Sequence, residues 1–109
     1  MASSRDFLEY VLDQLSGLCG ISYRPMMGEY VIYYDGKVVA GIYDDRFLVK
    51  ATKSALKLLR EEGRELGTDL PYEGGREMLK ADIDDREFTC RLIEAAAFDI
   101  PEPKRKKRG

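Results

Sequence analysis

The sequence predicts a two-layer α+β domain in which one antiparallel meander sheet carries helices on a single face. Strand-like runs are concentrated between Arg24 and Lys50, where two acidic turns, Asp35-Gly36 and Asp44-Asp45, break them into hairpins. Apolar residues at helical spacing lie before and after that stretch, so strands and helices are segregated, which argues against an alternating parallel sheet. A chain of 109 residues suits one domain, large enough to remove roughly two-thirds of its extended-chain surface from water. Residues 1–100 are assigned to that domain and 101–109 to a Pro-containing linker and a basic tail.

The chain opens MASSRDFLEYVLDQLSGL. Ser3 with Asp6 three residues on has the spacing of a capping box, and Phe7, Leu8, Val11, Leu12 and Leu15 recur at helical spacing. Gly17 supplies a stop. Acidic residues sit where the apolar core of a secretory signal would have to be, and no stretch approaches membrane-spanning length, so a cytoplasmic protein with no membrane partner is expected. Ile21 to Arg24 reads as a short strand, and Pro25, which cannot donate a ladder hydrogen bond, places it on an edge or at a bulge. Met26-Met27 leaves two readings open: flexible filling beneath a helix, or an adaptable contact surface.

Asp35-Gly36 is a hairpin signal, because a two-residue type I′ loop needs positive φ at both central positions, which Gly accepts and Asp tolerates. It sets Tyr34 opposite Lys37. If Asp44-Asp45 is also a two-residue loop, Tyr43 faces Arg46; a longer loop would shift the pairing by one. Strict alternation from these turns gathers Val31, Tyr33, Val38, Ala40, Ile42, Phe47 and Val49 on one side and Tyr30, Ile32, Tyr34, Lys37, Val39, Gly41, Tyr43, Arg46, Leu48 and Lys50 on the other. The uniformly apolar side is assigned to the core, the mixed side to solvent or a partner.

Beyond Lys50, Thr52 can cap a helix with apolar positions Ala55, Leu58, Leu59 and Leu56, for which Gly63 and Gly67 are alternative ends. Thr68 to Arg76 reads as a loop, and Glu77 to Lys80 as a possible short strand. Asp84 with Glu87 resembles another capping box, before a helix with Phe88, Leu92, Ile93, Ala95 and Ala96 on its face. Pro101 and Pro103 stop it near Phe98 to Ile100.

The tail Lys104, Arg105, Lys106, Lys107 and Arg108 holds five of the 18 basic residues; the remaining 13 face 20 acids, leaving the rest of the chain at net charge −7. A polybasic tail can make salt-sensitive nucleic-acid contact, although the acidic body opposes it, and a solvated extension is the simpler reading. With no histidine in the chain, Ser-His and Cys-His pairs and histidine metal sites are excluded. Cys19 and Cys90 lack metal or redox spacing and read as reduced core or half-buried residues. Asp82, Asp84, Asp85 and Glu87 lack the EF-hand glycine and are explained by helix capping. Gly74-Gly75 is a turn, not a phosphate loop. No catalytic residue, cofactor or metal site is expected, and scattered carboxylates and tyrosines are the whole basis of an enzymatic reading.

The mixed sheet side is the candidate interaction face, built from Tyr30, Tyr34, Lys37, Tyr43, Arg46 and Lys50. Tyrosines beside cations suit a protein interface, including one with a second copy of the chain, and are also found at single-stranded nucleic-acid platforms. An ordinary half-exposed sheet face has the same composition.

Arg24-Pro25-Met26-Met27-Gly28, Tyr34-Asp35-Gly36-Lys37, Ala40-Gly41-Ile42 and Asp44 to Lys50 together resemble the TfoX (Sxy) N-terminal domain family, whose pattern is an Arg-x-Met-hydrophobic-Gly turn, a Tyr-x-x-Gly hairpin and a final strand ending in Lys. The resemblance implies an antiparallel α+β fold in a family named for regulators that raise transcription of bacterial DNA-uptake genes, working with a cyclic-AMP-responsive transcription factor rather than as enzymes. It carries no catalytic residues to transfer. Those regulators have a further C-terminal helical domain where these residues run into the basic tail, and Glu29 stands where a second Gly is common. A stand-alone regulatory or protein-interaction module is the expectation.

Overall fold

The computed structural model describes residues 3–101; the basic tail, residues 104–108, lies outside them. Ser4 caps the first helix, α1 (Arg5–Gln14), by accepting the Phe7 N–H at 3.1 Å. The cap therefore falls one residue after the expected Ser3, and with Phe7 rather than Asp6 at the third helical position no capping box forms. Ser3 is buried and engaged elsewhere: its hydroxyl donates to Glu29 Oε1 at 2.5 Å and accepts the Asp45 N–H at 2.9 Å.

Four strands follow as a meander: β1 (Ile21–Met26), β2 (Glu29–Tyr34), β3 (Lys37–Tyr43) and β4 (Arg46–Val49). Each connection is two residues with positive φ at both positions: Met27 and Gly28 at 50° and 86°, Asp35 and Gly36 at 52° and 79°, Asp44 and Asp45 at 54° and 56°. Such turns carry the twist that adjoining strands need. Tyr34 pairs with Lys37 and Tyr43 with Arg46, as the turn chemistry predicts.

Helix α2 (Lys53–Glu61) starts at Thr52, whose hydroxyl accepts the Ala55 N–H at 3.3 Å. It stops ahead of Gly63, where the Arg64 N–H reaches back to the Leu59 carbonyl at 2.9 Å. The segment expected to be pure loop contributes a two-residue strand, β5 (Thr68–Asp69), and the possible strand near Glu77 is β6 (Met78–Lys80). Helix α3 (Arg86–Phe98) is capped by Asp85, one residue after the expected Asp84, because Asp84 N–H is turned back onto the Asp82 carboxylate at 3.0 Å. The six strands form one antiparallel sheet in the order β1-β2-β3-β4-β6-β5, with β1 on an edge as Pro25 requires.

The helices close one face of this sheet. Leu8, Val11 and Leu15 of the N-terminal segment, Ala55 and Leu59 of α2, and Phe88, Leu92, Ile93 and Ala96 of α3 pack with Ile32, Val39, Ile42, Phe47, Val49 and Leu79. Burying each large aliphatic side chain here contributes about 1.5–3 kcal/mol before chain entropy is subtracted. Charged pairs tie the helices together at their rim: Arg64 to Asp85 at 2.6 Å, Arg91 to Glu62 at 2.8 Å, with the Arg64 guanidinium 4.0 Å over the Phe88 ring.

The strict alternation expected along β3 is broken. Tyr33 pairs with Val38 but Ile32 pairs with Ala40, so Val39 has no partner of its own on β2. This bulge lets both Val39 and Ala40 join the helix-side core. It also exchanges the faces of β2 relative to the lower half of β3. Tyr30, Ile32 and Tyr34 pack on the helix side, while Val31, Tyr33 and Val38 line the open side.

Candidate interaction surfaces

The exchanged register divides the expected interaction face in two. Tyr30 is half-buried on the helix side with its ring edge-on to Tyr23, centroids 5.9 Å apart. Tyr34 is half-buried on the same side, where loss of water pushes its phenol up. Lys37 also turns toward the helices: its ammonium donates to the Ala97 carbonyl at 3.2 Å, supplying at the end of α3 the positive charge that its own last turn lacks. Tyr43, Arg46 and Lys50 stand on the opposite face, with Tyr43 buried there and Arg46 paired across from it. The six residues therefore do not form one surface.

On that open face, Tyr43, Leu48 and Met78 make a small second buried cluster. The Tyr43 ring folds back over Gly41, where a Cβ would lie 2.4 Å from it, so the missing side chain at 41 is what seats the ring. Burial pushes the Tyr43 phenol up. Tyr72 packs edge-on against it at 6.0 Å, and Pro71 is buried beside them. The loop after β5 is thus a cover, not the free turn expected from Gly74-Gly75.

Arg46 holds that cover down. It pairs with Asp69 at 2.6 Å and donates to the carbonyls of Leu70 at 3.0 Å and Pro71 at 3.5 Å, while its Nε is fixed by the Tyr43 carbonyl at 3.0 Å. The guanidinium holds the Asp69 carboxyl below its ordinary range. Between the sheet and the cover lies a groove of about 700 Å³, whose floor and walls include Val31, Tyr33, Val38, Tyr72 and Met78, with Lys50, Arg76 and Glu77 among the charged residues along it.

A second surface is the β1–β2 tip. Met26 is 43% exposed and Met27 97% exposed, so neither fills space beneath a helix. The tip is braced from below by a network that sequence reasoning missed. The Glu29 carboxylate accepts the Asp44 N–H at 3.0 Å and the Ser3 hydroxyl, Asp45 Oδ1 accepts the Ser4 N–H at 2.7 Å, and Ser3 N–H reaches the Gly28 carbonyl at 3.0 Å. The Asp44 amide meets the Glu29 carboxylate directly, and the Asp45 amide meets the Ser3 hydroxyl that bonds the same carboxylate. A carboxylate at 29, where a Gly would be common, is the only signal in the sequence.

Neither cysteine is in the deep core: Cys19 is exposed and Cys90 half-buried, where loss of water pushes its thiol up. Among the described residues, no three Cys, Asp or Glu side chains gather as a metal site, and no helix is long and apolar enough to cross a membrane. The Tyr10 hydroxyl bonds the Asp84 carboxylate, which raises the phenol and ties α1 to the approach of α3.

These features define a class, a small α+β domain whose six-stranded antiparallel sheet is helix-covered on one face and presents a groove and a methionine-bearing hairpin tip elsewhere. The chain belongs to the TfoX N-terminal domain family, whose model matches residues 13–77, the end of α1 through the cover loop. It is also 30% identical over 109 residues to an uncharacterized 12.7 kDa protein in the trpE 5′ region of Spirochaeta aurantia, a match spanning 98% of this chain and 91% of that protein.

Proposed function

We propose that this chain is a non-enzymatic regulatory module that acts by contacting another protein, with the β1–β2 tip as its principal contact. The observation that carries this reading is Met27, 97% exposed at φ 50°. A left-handed backbone costs an ordinary side chain about 1–2 kcal/mol, and Asn or Gly fits it better. Exposure adds a second disadvantage, since an apolar side chain gains nothing from water. A residue unfavourable on both counts is explained by what it touches in a complex, and methionine's flexible thioether stem suits an adaptable contact. The bracing of Glu29, Ser3 and Asp45 supports the same reading by fixing the tip rigidly. The absence of histidine from the chain and the family membership support a non-catalytic role.

The test is Met27→Asn, which creates the favoured Asn-Gly turn. It is expected to raise unfolding stability by about 0.5–1 kcal/mol while abolishing recovery of the partner that native chain captures from its own cells. Equal recovery by the stabilised variant would overturn the assignment of the tip. Light scattering of the purified protein identifies the case in which the partner is a second copy.

A further inference from the structure

We infer that the groove on the open sheet face is a binding site for a small organic anion, an apolar ring or branched body with one carboxylate, sulfonate or phosphate. This inference does not rest on Met27 or on the tip's partner, although Met26 of the tip borders the groove. The volume, about 700 Å³, lies within the roughly 300–1,000 Å³ that small-molecule sites occupy. The floor is apolar, formed by Val31, Val38 and Met78. Residues around Lys50 to Thr52 border one part and the cover loop another, which fits a compact body better than an extended chain.

Charge decides the class of ligand. Among the described residues, Lys50 and Arg76 make no ion pair, whereas the arginines at 46, 64 and 91 are each paired with a carboxylate. Two uncommitted cations beside an apolar floor, on a chain of net charge −2, form a local positive site that an anionic head group complements. Glu77 stands at the same groove and offsets part of that charge. Tyr33, Tyr43 and Tyr72 also face it, and none of their hydroxyls is used in a hydrogen bond among the described residues, so three further donors remain for a head group.

Titration with 1-anilinonaphthalene-8-sulfonate, beside the uncharged N-phenyl-1-naphthylamine with the same ring system, tests the inference on the full chain. The sulfonate is expected to bind saturably at one site, and more tightly than the neutral analogue. Lys50→Glu with Arg76→Glu should weaken it by roughly fivefold or more, as reversal of two partly exposed charges implies, and Glu77→Gln should tighten it. Methyl NMR signals of Val31, Val38 and Met78 should move on binding while those of Leu8, Leu92 and Ile93 stay. Equal affinity for the neutral analogue, sulfonate binding unchanged by charge reversal, or shifts in the helix-side methyls instead would each overturn it.

Discussion

The two faces of the sheet are both apolar where they are buried, yet they are closed by different means. On the helix side, Ile32, Val39, Ile42 and Val49 are fully buried beneath elements whose backbone hydrogen bonds are satisfied internally. On the open side, Tyr43, Leu48 and Met78 are buried beneath an irregular loop whose attachment runs through the side chain of Arg46. Packing against helices makes burial a property of the whole fold. Burial beneath a strapped loop can be lost locally, which is what a site that admits other molecules requires.

The sharpest contrast comes from cutting an aliphatic residue on each side. Ile42→Ala is expected to cost about 3 kcal/mol, because a fully enclosed site cannot collapse around the void, whereas Val38→Ala on the half-covered side should cost less than about 1 kcal/mol. Urea denaturation measures both, and similar values would break the distinction. Arg46→Leu comes next. It should lower global stability by about 1 kcal/mol while hydrogen exchange rises selectively across residues 68–75, followed by mass spectrometry. Uniform exchange would mean that the cover is not strapped by this residue.

Acid sensitivity gives the smallest effect. Asp69 is held low by Arg46, Asp85 by Arg64, Glu62 by Arg91 and Asp99 by the Ser54 amide. Because these folded-state values lie below the unfolded ones, their stabilisation is present above the ordinary carboxylate range and is lost as pH falls through the folded values. Thermal midpoints should therefore hold from neutrality to about pH 5 and decline below about pH 4. Asp69→Asn should remove only the part belonging to the open face; an unchanged acid profile in that variant would show that this pair adds nothing.

Much of the architecture was legible because turn chemistry is local. Asp35-Gly36 and Asp44-Asp45 set both hairpin registers, and Pro25 placed β1 on an edge. The division of faces was not legible, since alternation carries over only while each residue has one partner. The extra residue at Val39 inverts everything on its β2 side while leaving β4 correct. Ala40, Ile42, Phe47 and Val49 consequently lie where alternation puts them, and Val31, Tyr33 and Val38 do not. The caps were misplaced by one residue for a related reason: Ser3-Ser4 and Asp84-Asp85 each offer two equivalent oxygens, and the choice was made by other partners, Glu29 and Asp45 for Ser3, and Tyr10 together with the neighbouring Asp82 for Asp84. The cover loop was read as a turn because its glycines were visible and its attachment to Arg46 was not.

Pro25 has a consequence for how the molecule avoids polymerising. Asp35 N–H bonds the Gly20 carbonyl at 3.0 Å, and the register then gives Ser22, Arg24 and Met26 the bonds to β2, so the outward-pointing amide positions are Ile21, Tyr23 and Pro25. The proline occupies the one of these nearest the hairpin tip and leaves no hydrogen there to donate. A foreign strand adding to this margin would find its ladder interrupted, and the opposite margin, β5, is only two residues long. The sheet is thus blunted at both ends against fibrillar growth.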